Sequence, residues 1–267
     1  MMGIPRIGSR VNPSCVLVYA NWLRRMGIAA RNPSCVVLII ALSLPGATLA
    51  GEAAAPLYTT ARASADGIGK FHQGREIAQV MSFHGAQWLE RTERAEEERP
   101  DLVLAALDLK PGMLVADIGA GTGYYAWRMV QSVGTRGTVF AVDIQPEMIR
   151  LLEQQVAKRG AENVKARLGT LTDPRLPAGA LDLVLMVDVY HEFEFPYEML
   201  AALVRALKPG GRLVFVEFRG GDPTVPIKPL HTMTEPQVRR EAALHPLEWV
   251  RTVSGLPWQH VIVFRRK

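Results

Sequence analysis

Cysteine is nearly absent from this 267-residue chain: it has two, Cys15 and Cys35, both within the first fifty residues. Residues 51–267 therefore form no disulfide among themselves, offer no thiolate metal site and hold no cysteine nucleophile. Acidic residues are missing from the same first fifty, which carry Arg6, Arg10, Arg24, Arg25 and Arg31. Those arginines account for the whole excess of 31 basic over 26 acidic residues, so the net charge of +5 belongs to one end and the remainder is formally neutral. A neutral body gives no electrostatic case for a nucleic-acid partner. A long apolar run is lacking too. Cys35–Leu42 is broken at Pro45-Gly46, short of the roughly 20 residues of a comfortable membrane span.

What the first fifty residues do contain reads as an export signal. Arg24, Arg25 and Arg31 precede the apolar core, and Thr48-Leu49-Ala50 supplies a small-residue cleavage site. Cleavage after Ala50 is the expectation, giving an exported, periplasmic protein with no stable membrane span. Met2-Gly3-Ile4 and Asn12-Pro13-Ser14-Cys15-Val16 recur as Met26-Gly27-Ile28 and Asn32-Pro33-Ser34-Cys35-Val36. A duplicated leader or a translation start at Met26 accounts for the repeat, and a leader that is not used leaves a cytoplasmic protein.

Residues 51–72, rich in Ala, Gly, Ser and Thr, read as a flexible linker. Residues 73–110 read as a helical lead: Ile77, Val80, Met81, Ala86 and Leu89 share one helical face, Glu90–Arg99 is a charged run of solvated character, and Pro100 opens a short helix.

From residue 111 onward, short apolar runs alternate with helix-periodic segments, the pattern of a parallel sheet covered on both faces. Its organising stretch is Val115-Ala116-Asp117-Ile118-Gly119-Ala120-Gly121-Thr122-Gly123-Tyr124. A buried strand, a tight turn and a helix start follow one another there, and glycine lets a ligand lie on the main chain beside unpaired helix N–H groups. A dinucleotide fingerprint needs its third glycine at position 124, which is Tyr. Asp117 would repel a diphosphate but suits a ligand carrying an ammonium group. Asp143 ends the next strand about twenty residues on, where a carboxylate accepts from both hydroxyls of a ribose; a helix cap is the alternative for it. Val187–Phe193 places Asp188, His191 and Glu192 directly after an apolar strand, near the switch point where ligands of open α/β sheets gather. The long loop Arg219–Met233 leaves the sheet on the ligand side, with Arg219 and His231 as polar candidates.

With the loop at 117–123, Asp143, the segment 187–193 and the Lys208-Pro209-Gly210-Gly211 turn in register, residues 74–267 resemble the class I S-adenosylmethionine-dependent methyltransferases. Gly74-Arg75-Glu76-Ile77-Ala78, Glu98-Arg99-Pro100 and Val225–His231 are similar to an exported bacterial subgroup of that family. The resemblance implies an α/β, Rossmann-like, doubly wound fold over residues 111–267. Its seven-stranded sheet is mostly parallel, with a C-terminal antiparallel strand pair and an N-terminal helical extension. The implied cofactor is S-adenosyl-L-methionine. Asp117, Gly119, Ala120, Gly121 and Gly123 would take its methionine end, Asp143 and Ile144 its ribose, Gly169 and Thr170 its adenine, and Asp188 would steady loop or cofactor. Many family members carry an acid where this chain has Thr170, so adenine is left to backbone and apolar edges. His191 and Glu192 are the catalytic candidates, as holders of a small-molecule methyl acceptor or of its proton; capping is the alternative for His191. No metal-ligand set is read from the sequence. The Asn-Pro-Pro-Tyr signature of enzymes that methylate nucleic-acid bases is absent, as are the thiolates of arsenic methyltransferases beyond residue 50. A catalytically silent binding module on the same fold and a nicotinamide oxidoreductase are the other readings.

Overall fold

The structure, a computed structural model, describes residues 56–267. The expected export signal, its expected cleavage point and the repeated segments before it lie outside the described residues. Three short strands come first: β1 (Tyr58–Thr60), β2 (Gly67–His72) and β3 (Arg75–Ala78), an antiparallel sheet in the order β1-β2-β3. This corrects two expectations. Nine residues of the expected linker lie in strands β1 and β2, and the helix read from Gly74 begins as β3. The physical reason is the turn between β2 and β3: Gln73 and Gly74 both have positive φ, 49° and 85°, the geometry of a two-residue hairpin turn, which pairs His72 with Arg75. Helix appears only afterwards, in a 3₁₀ turn at Phe83–Gly85 and in α1 (Ala86–Leu89), α2 (Arg94–Glu98) and α3 (Pro100–Leu107).

The main sheet is built from β4 (Leu114–Ile118), β5 (Thr138–Asp143), β6 (Val164–Leu168), β7 (Leu181–Val187), β8 (Leu207–Phe218), β9 (Leu247–Val253) and β10 (Gln259–Arg266). Their order is β6-β5-β4-β7-β8-β10-β9, parallel from β6 to β8, with β10 antiparallel to both β8 and β9. The connecting helices are α4 (Ala126–Val133), α5 (Pro146–Arg159), α6 (Pro196–Ala206) and α7 (Glu235–Ala242). Successive strand side chains point to opposite faces. Leu183, Leu185, Val214 and Val216 accordingly join one core with α3, α4 and α5, while Val184, Met186 and Phe215 join the other with α6 and α7. The Lys208-Pro209-Gly210-Gly211 turn lies inside β8 as a bulge, since Leu207 faces Leu181 yet Arg212 already faces Leu183. Among the described residues, no helix is long and apolar enough to cross a membrane.

The chain runs outward from β4 to β6 and then returns to β7, so β4 and β7 flank the point where the winding reverses. The N-terminal lead is tied across that point by polar contacts. Arg75 reaches Glu241 with two hydrogen bonds, 2.8 and 3.0 Å, and donates to the His191 carbonyl at 3.0 Å. Gln145 accepts from Phe83 N–H at 2.7 Å and donates to the Met81 carbonyl at 3.0 Å. Glu241 is fully buried and also accepts from the Tyr190 hydroxyl at 2.6 Å. Burial works to raise its pKa, but the Arg75, Tyr190 and Gln237 hydrogen bonds outweigh it and hold the group below the usual carboxylate range.

Removing that carboxylate strands a buried guanidinium and a buried hydroxyl. Glu241→Ala is expected to lower the unfolding free energy by about 3 kcal/mol, measured by urea denaturation at pH 7. Because the folded pKa is depressed, the contribution of Glu241 is fully present above the ordinary carboxylate value and fades as the pH falls through the lowered one. The gap between wild type and variant therefore narrows in acid.

Candidate active site

Close approach of two loops builds the site. Gly119 ends β4 at φ +69°, and a Cβ there would stand 2.4 Å from Cγ2 of Val189, which follows β7. Glycine is required for the β4 and β7 loops to meet. Asp188 sits in the left-handed region at φ 49°, a strain of order 1 kcal/mol for a residue with a side chain. Its N–H donates to the Val216 carbonyl at 2.8 Å and its Oδ2 accepts from Gln259 at 2.5 Å, which hold it there. A Cβ at Gly121 would meet Leu89 at 2.6 Å, so the lead packs directly on the glycine loop.

Between these walls lies a cavity of about 410 Å³, the size class of small-molecule sites. Asp117, Gly119, Ala120, Gly121, Asp143, Ile144, Thr170, Asp188, His191 and Glu192, ten of the sequence candidates, line it together. Gly123 and Gly169 do not. A Cβ on Gly123, at φ +88°, would strike Trp127 at 2.6 Å and Leu152 at 2.9 Å, so its role is helix packing. Gly169 is buried against Val142. The neighbouring Thr170, Leu171 and Pro174 form that end of the cavity instead.

Three carboxylates meet the cavity in low dielectric. Asp117 is pushed up to about 7 by burial; Arg94 and the Ala126 N–H only partly offset this, and Asp143 adds to it. Asp143 is also raised by burial, against the pull of the Gln145, Gly121 and Ile144 N–H groups, with Glu192 adding to the rise. Its Oδ2 accepts from Gly121 at 3.0 Å and its Oδ1 from Gln145 at 2.9 Å, each oxygen keeping a lone pair. Asp188 is raised well above its ordinary value by burial and by the charges of Glu98 and Glu217. Its Oδ1 is buried with no hydrogen-bond partner among the described residues, as is the hydroxyl of Tyr125. Such a set favours a cationic, hydrogen-bonding ligand, since a positive charge relieves the burial of anions.

Arg94 does not stand out in the sequence as a site residue, because it lies in the charged run Glu90–Arg99, whose composition is that of solvated surface. It is 5 % exposed and lines the cavity. Fully buried Glu98 accepts from its Nε at 2.8 Å, the Leu89 carbonyl accepts from Nη1 at 2.8 Å, and the Tyr124 ring lies 4.0 Å beneath it.

At the other end, His191 is 2 % exposed and shares a 2.6 Å hydrogen bond between its Nδ1 and Oε2 of Glu217. Glu217, fully buried, also accepts from Tyr190 N–H at 3.0 Å. Its signal in the sequence is a lone acid inside the apolar run Leu213–Phe218. Glu192 accepts from Met81 N–H at 3.1 Å. The long loop behaves as expected at one residue and not at the other. His231 enters the cavity beside Pro226, Ile227 and Lys228. Arg219 turns away, donating to the carbonyls of Leu256, Pro257 and Gln259 at 2.8, 2.7 and 3.1 Å.

Fold and cavity define a doubly wound α/β protein with a small-molecule site at the switch point of its sheet. The sequence pattern of the methyltransferase domain matches residues 109–254, more than half of the chain. The chain belongs to that methyltransferase-domain family. It is 34% identical over 111 residues to the nocamycin O-methyltransferase of Saccharothrix syringae, a match covering 42% of this chain and 40% of that protein. It is also 34% identical over 105 residues to the arsenite methyltransferase of Halobacterium salinarum, covering 39% and 27%. The matched segment thus spans less than half of either relative. A solved structure of a SAM-dependent methyltransferase from Aquifex aeolicus superposes with a TM-score of 0.67 at 26% identity, over 70% of this chain and 100% of that one.

Because Asp117 is raised to about 7, a ligand ammonium must select its ionised form. The affinity for S-adenosylhomocysteine is expected to rise between about pH 6 and pH 7, where an α-amino group stays protonated. Asp117→Asn should bind more weakly and show a flat profile in calorimetry across that range.

Proposed function

We propose that this protein is an S-adenosyl-L-methionine-dependent methyltransferase acting on a small-molecule acceptor. The observation that carries the reading is the arrangement of one cavity: acids and a bare glycine bend at one end, His191, Glu192 and His231 at the other. S-Adenosyl-L-methionine is the cofactor. The residues fit it by charge and by hydrogen bonding. Asp117, with Asp188 nearby, serves the ammonium group, the backbone from Gly119 to Gly121 cradles the methionine chain, and Asp143 keeps a lone pair on each oxygen for the two ribose hydroxyls. Thr170, Leu171 and Pro174 border the adenine end. Arg94, already neutralised by Glu98, adds a donor for the cofactor carboxylate. Bound there, the cofactor supplies a sulfonium methyl group that an acceptor atom displaces in line.

The protein's own part is positional. An ordered near-attack geometry lowers such a barrier by several kcal/mol, and the walls that set it are Gly119, Val189 and the loop carrying His231. His191 and Glu192 hold the acceptor and handle its proton; the hydrogen bond to Glu217 fixes the His191 ring and directs its Nε2 away from that acid. The same carboxylate at Asp117 argues against a dinucleotide, whose diphosphate it would repel. The acceptor is small because the cavity is enclosed by the lead and the long loop. Export through residues 1–50 belongs to the proposal, and N-terminal sequencing of the secreted protein should begin at Gly51; a mature chain starting near Met26 refutes it.

Calorimetric titration with S-adenosylmethionine and S-adenosylhomocysteine tests the reading. Binding at one site per chain is expected, and Asp143→Ala should weaken it by at least about tenfold, given hydrogen bonds to a charged group worth about 1.5–3 kcal/mol. His191→Ala should leave that affinity nearly unchanged. Absence of binding, or equal affinity after Asp117→Ala and Asp143→Ala together, overturns the proposal.

A further inference from the structure

Three potential ligand atoms converge at the acceptor end of the cavity. His191 Nε2 stands 3.9 Å from Oε1 of Glu192, His231 Nδ1 stands 3.6 Å from the same oxygen, and one ligand atom from each residue lies within 4.8 Å of the others. These separations are too long for hydrogen bonds between the three. They approach the roughly 3.0–3.5 Å between neighbouring ligands held about 2.1 Å from one ion, a gap that small side-chain rotations close. We propose that His191, Glu192 and His231 bind one divalent first-row transition-metal ion.

Two independent features support the assignment. The first is the support behind His191. Buried Glu217 takes its Nδ1 at 2.6 Å, the carboxylate–histidine arrangement that fixes ring and tautomer in metal sites and leaves the other nitrogen for the ion. Arg75 fixes the backbone of the same residue through its carbonyl at 3.0 Å. The second is charge. Glu192 and Glu217 are 10% and 0% exposed at the side chain, and among the described residues neither pairs with a lysine or arginine. Arg75 is committed to Glu241, and cavity-lining Lys228 pairs with Asp66. A divalent cation would neutralise this corner.

Two imidazoles and one carboxylate on one side of an ion leave several positions open, and this donor set suits iron(II), manganese(II), cobalt(II) or zinc(II) over calcium or magnesium. The open positions face the space assigned above to the acceptor, so the inference deepens the proposed function and rests on it for the nature of the acceptor. That acceptor would chelate the ion through two oxygens, as a hydroxyl beside a carbonyl does. Coordination would let the hydroxyl lose its proton to solvent near neutral pH, so that His191 and Glu192 would hold the acceptor through the ion in place of taking its proton themselves.

Cobalt(II) is a suitable probe because its visible absorption reports coordination. The full chain, stripped with a chelator, is titrated with cobalt(II) alone. One equivalent should bind with development of visible bands. His231→Ala and Glu192→Gln should each weaken binding more than about tenfold, and Glu217→Gln, a positioning variant, by about 10- to 100-fold. S-Adenosylhomocysteine affinity, measured without metal on the same variants, should stay nearly unchanged and so shows that they are folded. No cobalt binding, or binding equal in wild type and both ligand variants, overturns the metal site. Failure of S-adenosylhomocysteine to bind the wild type is a separate result that overturns the methyltransferase reading and leaves the metal test standing.

Discussion

The structure depends on how closely two loops pass at the reversal of the sheet. The 2.4 Å between Val189 and the position a Cβ would take on Gly119 leaves no room for any side chain at residue 119. That contact sets the distance between β4 and β7 at their carboxyl ends. It sets as well the distance between the acids at the ends of β4 and β5 and the polar cluster that follows β7. Asp188 bears the local cost, held in a left-handed conformation by Val216 and Gln259 on the two strands beyond. Strain of this kind persists where the surrounding structure over-determines it.

Around that crevice the protein concentrates carboxyl groups in low dielectric. Asp117, Asp143 and Asp188 are all raised by burial, and Arg94 is tied by hydrogen bonds to Glu98 and Leu89. A stability-minded design would not leave Asp188 Oδ1 and the Tyr125 hydroxyl without partners. Their cost is compatible with a site whose remaining interactions come from a cationic, polar ligand. The N-terminal lead takes part in this chemistry: it brings Arg94 to the cavity, lays Leu89 on Gly121 and donates Met81 N–H to Glu192.

Much of the architecture was legible in the chain. The alternation of apolar runs with helical periods marks the buried parallel strands, and Asp117, Gly119, Gly121, Asp143, Asp188, His191 and Glu192 do meet in one cavity. The lead was not legible. A segment with Ile77, Val80 and Met81 reads as a helix face until the Gln73-Gly74 turn is recognised, because pairing with a partner strand overrides a short periodic signal. The run Glu90–Arg99 misled for a related reason. Its composition is that of solvated surface, yet Arg94 and Glu98 are buried as an ion pair.

By itself the sequence determined the strand and helix alternation, the bend at Gly119–Gly123 and the acids at the ends of two strands, because those are set by local periodicity and by the backbone freedom of glycine. Tertiary structure alone decided which glycines line the cavity and which only pack, since Gly121 stands against Leu89 at the cavity wall and Gly123 against Trp127 and Leu152. It alone brought His231 to His191 and Glu192, 40 and 39 residues earlier in the chain, and set Glu217 behind them. Such convergence depends on strand order and loop path, which no spacing within one segment records.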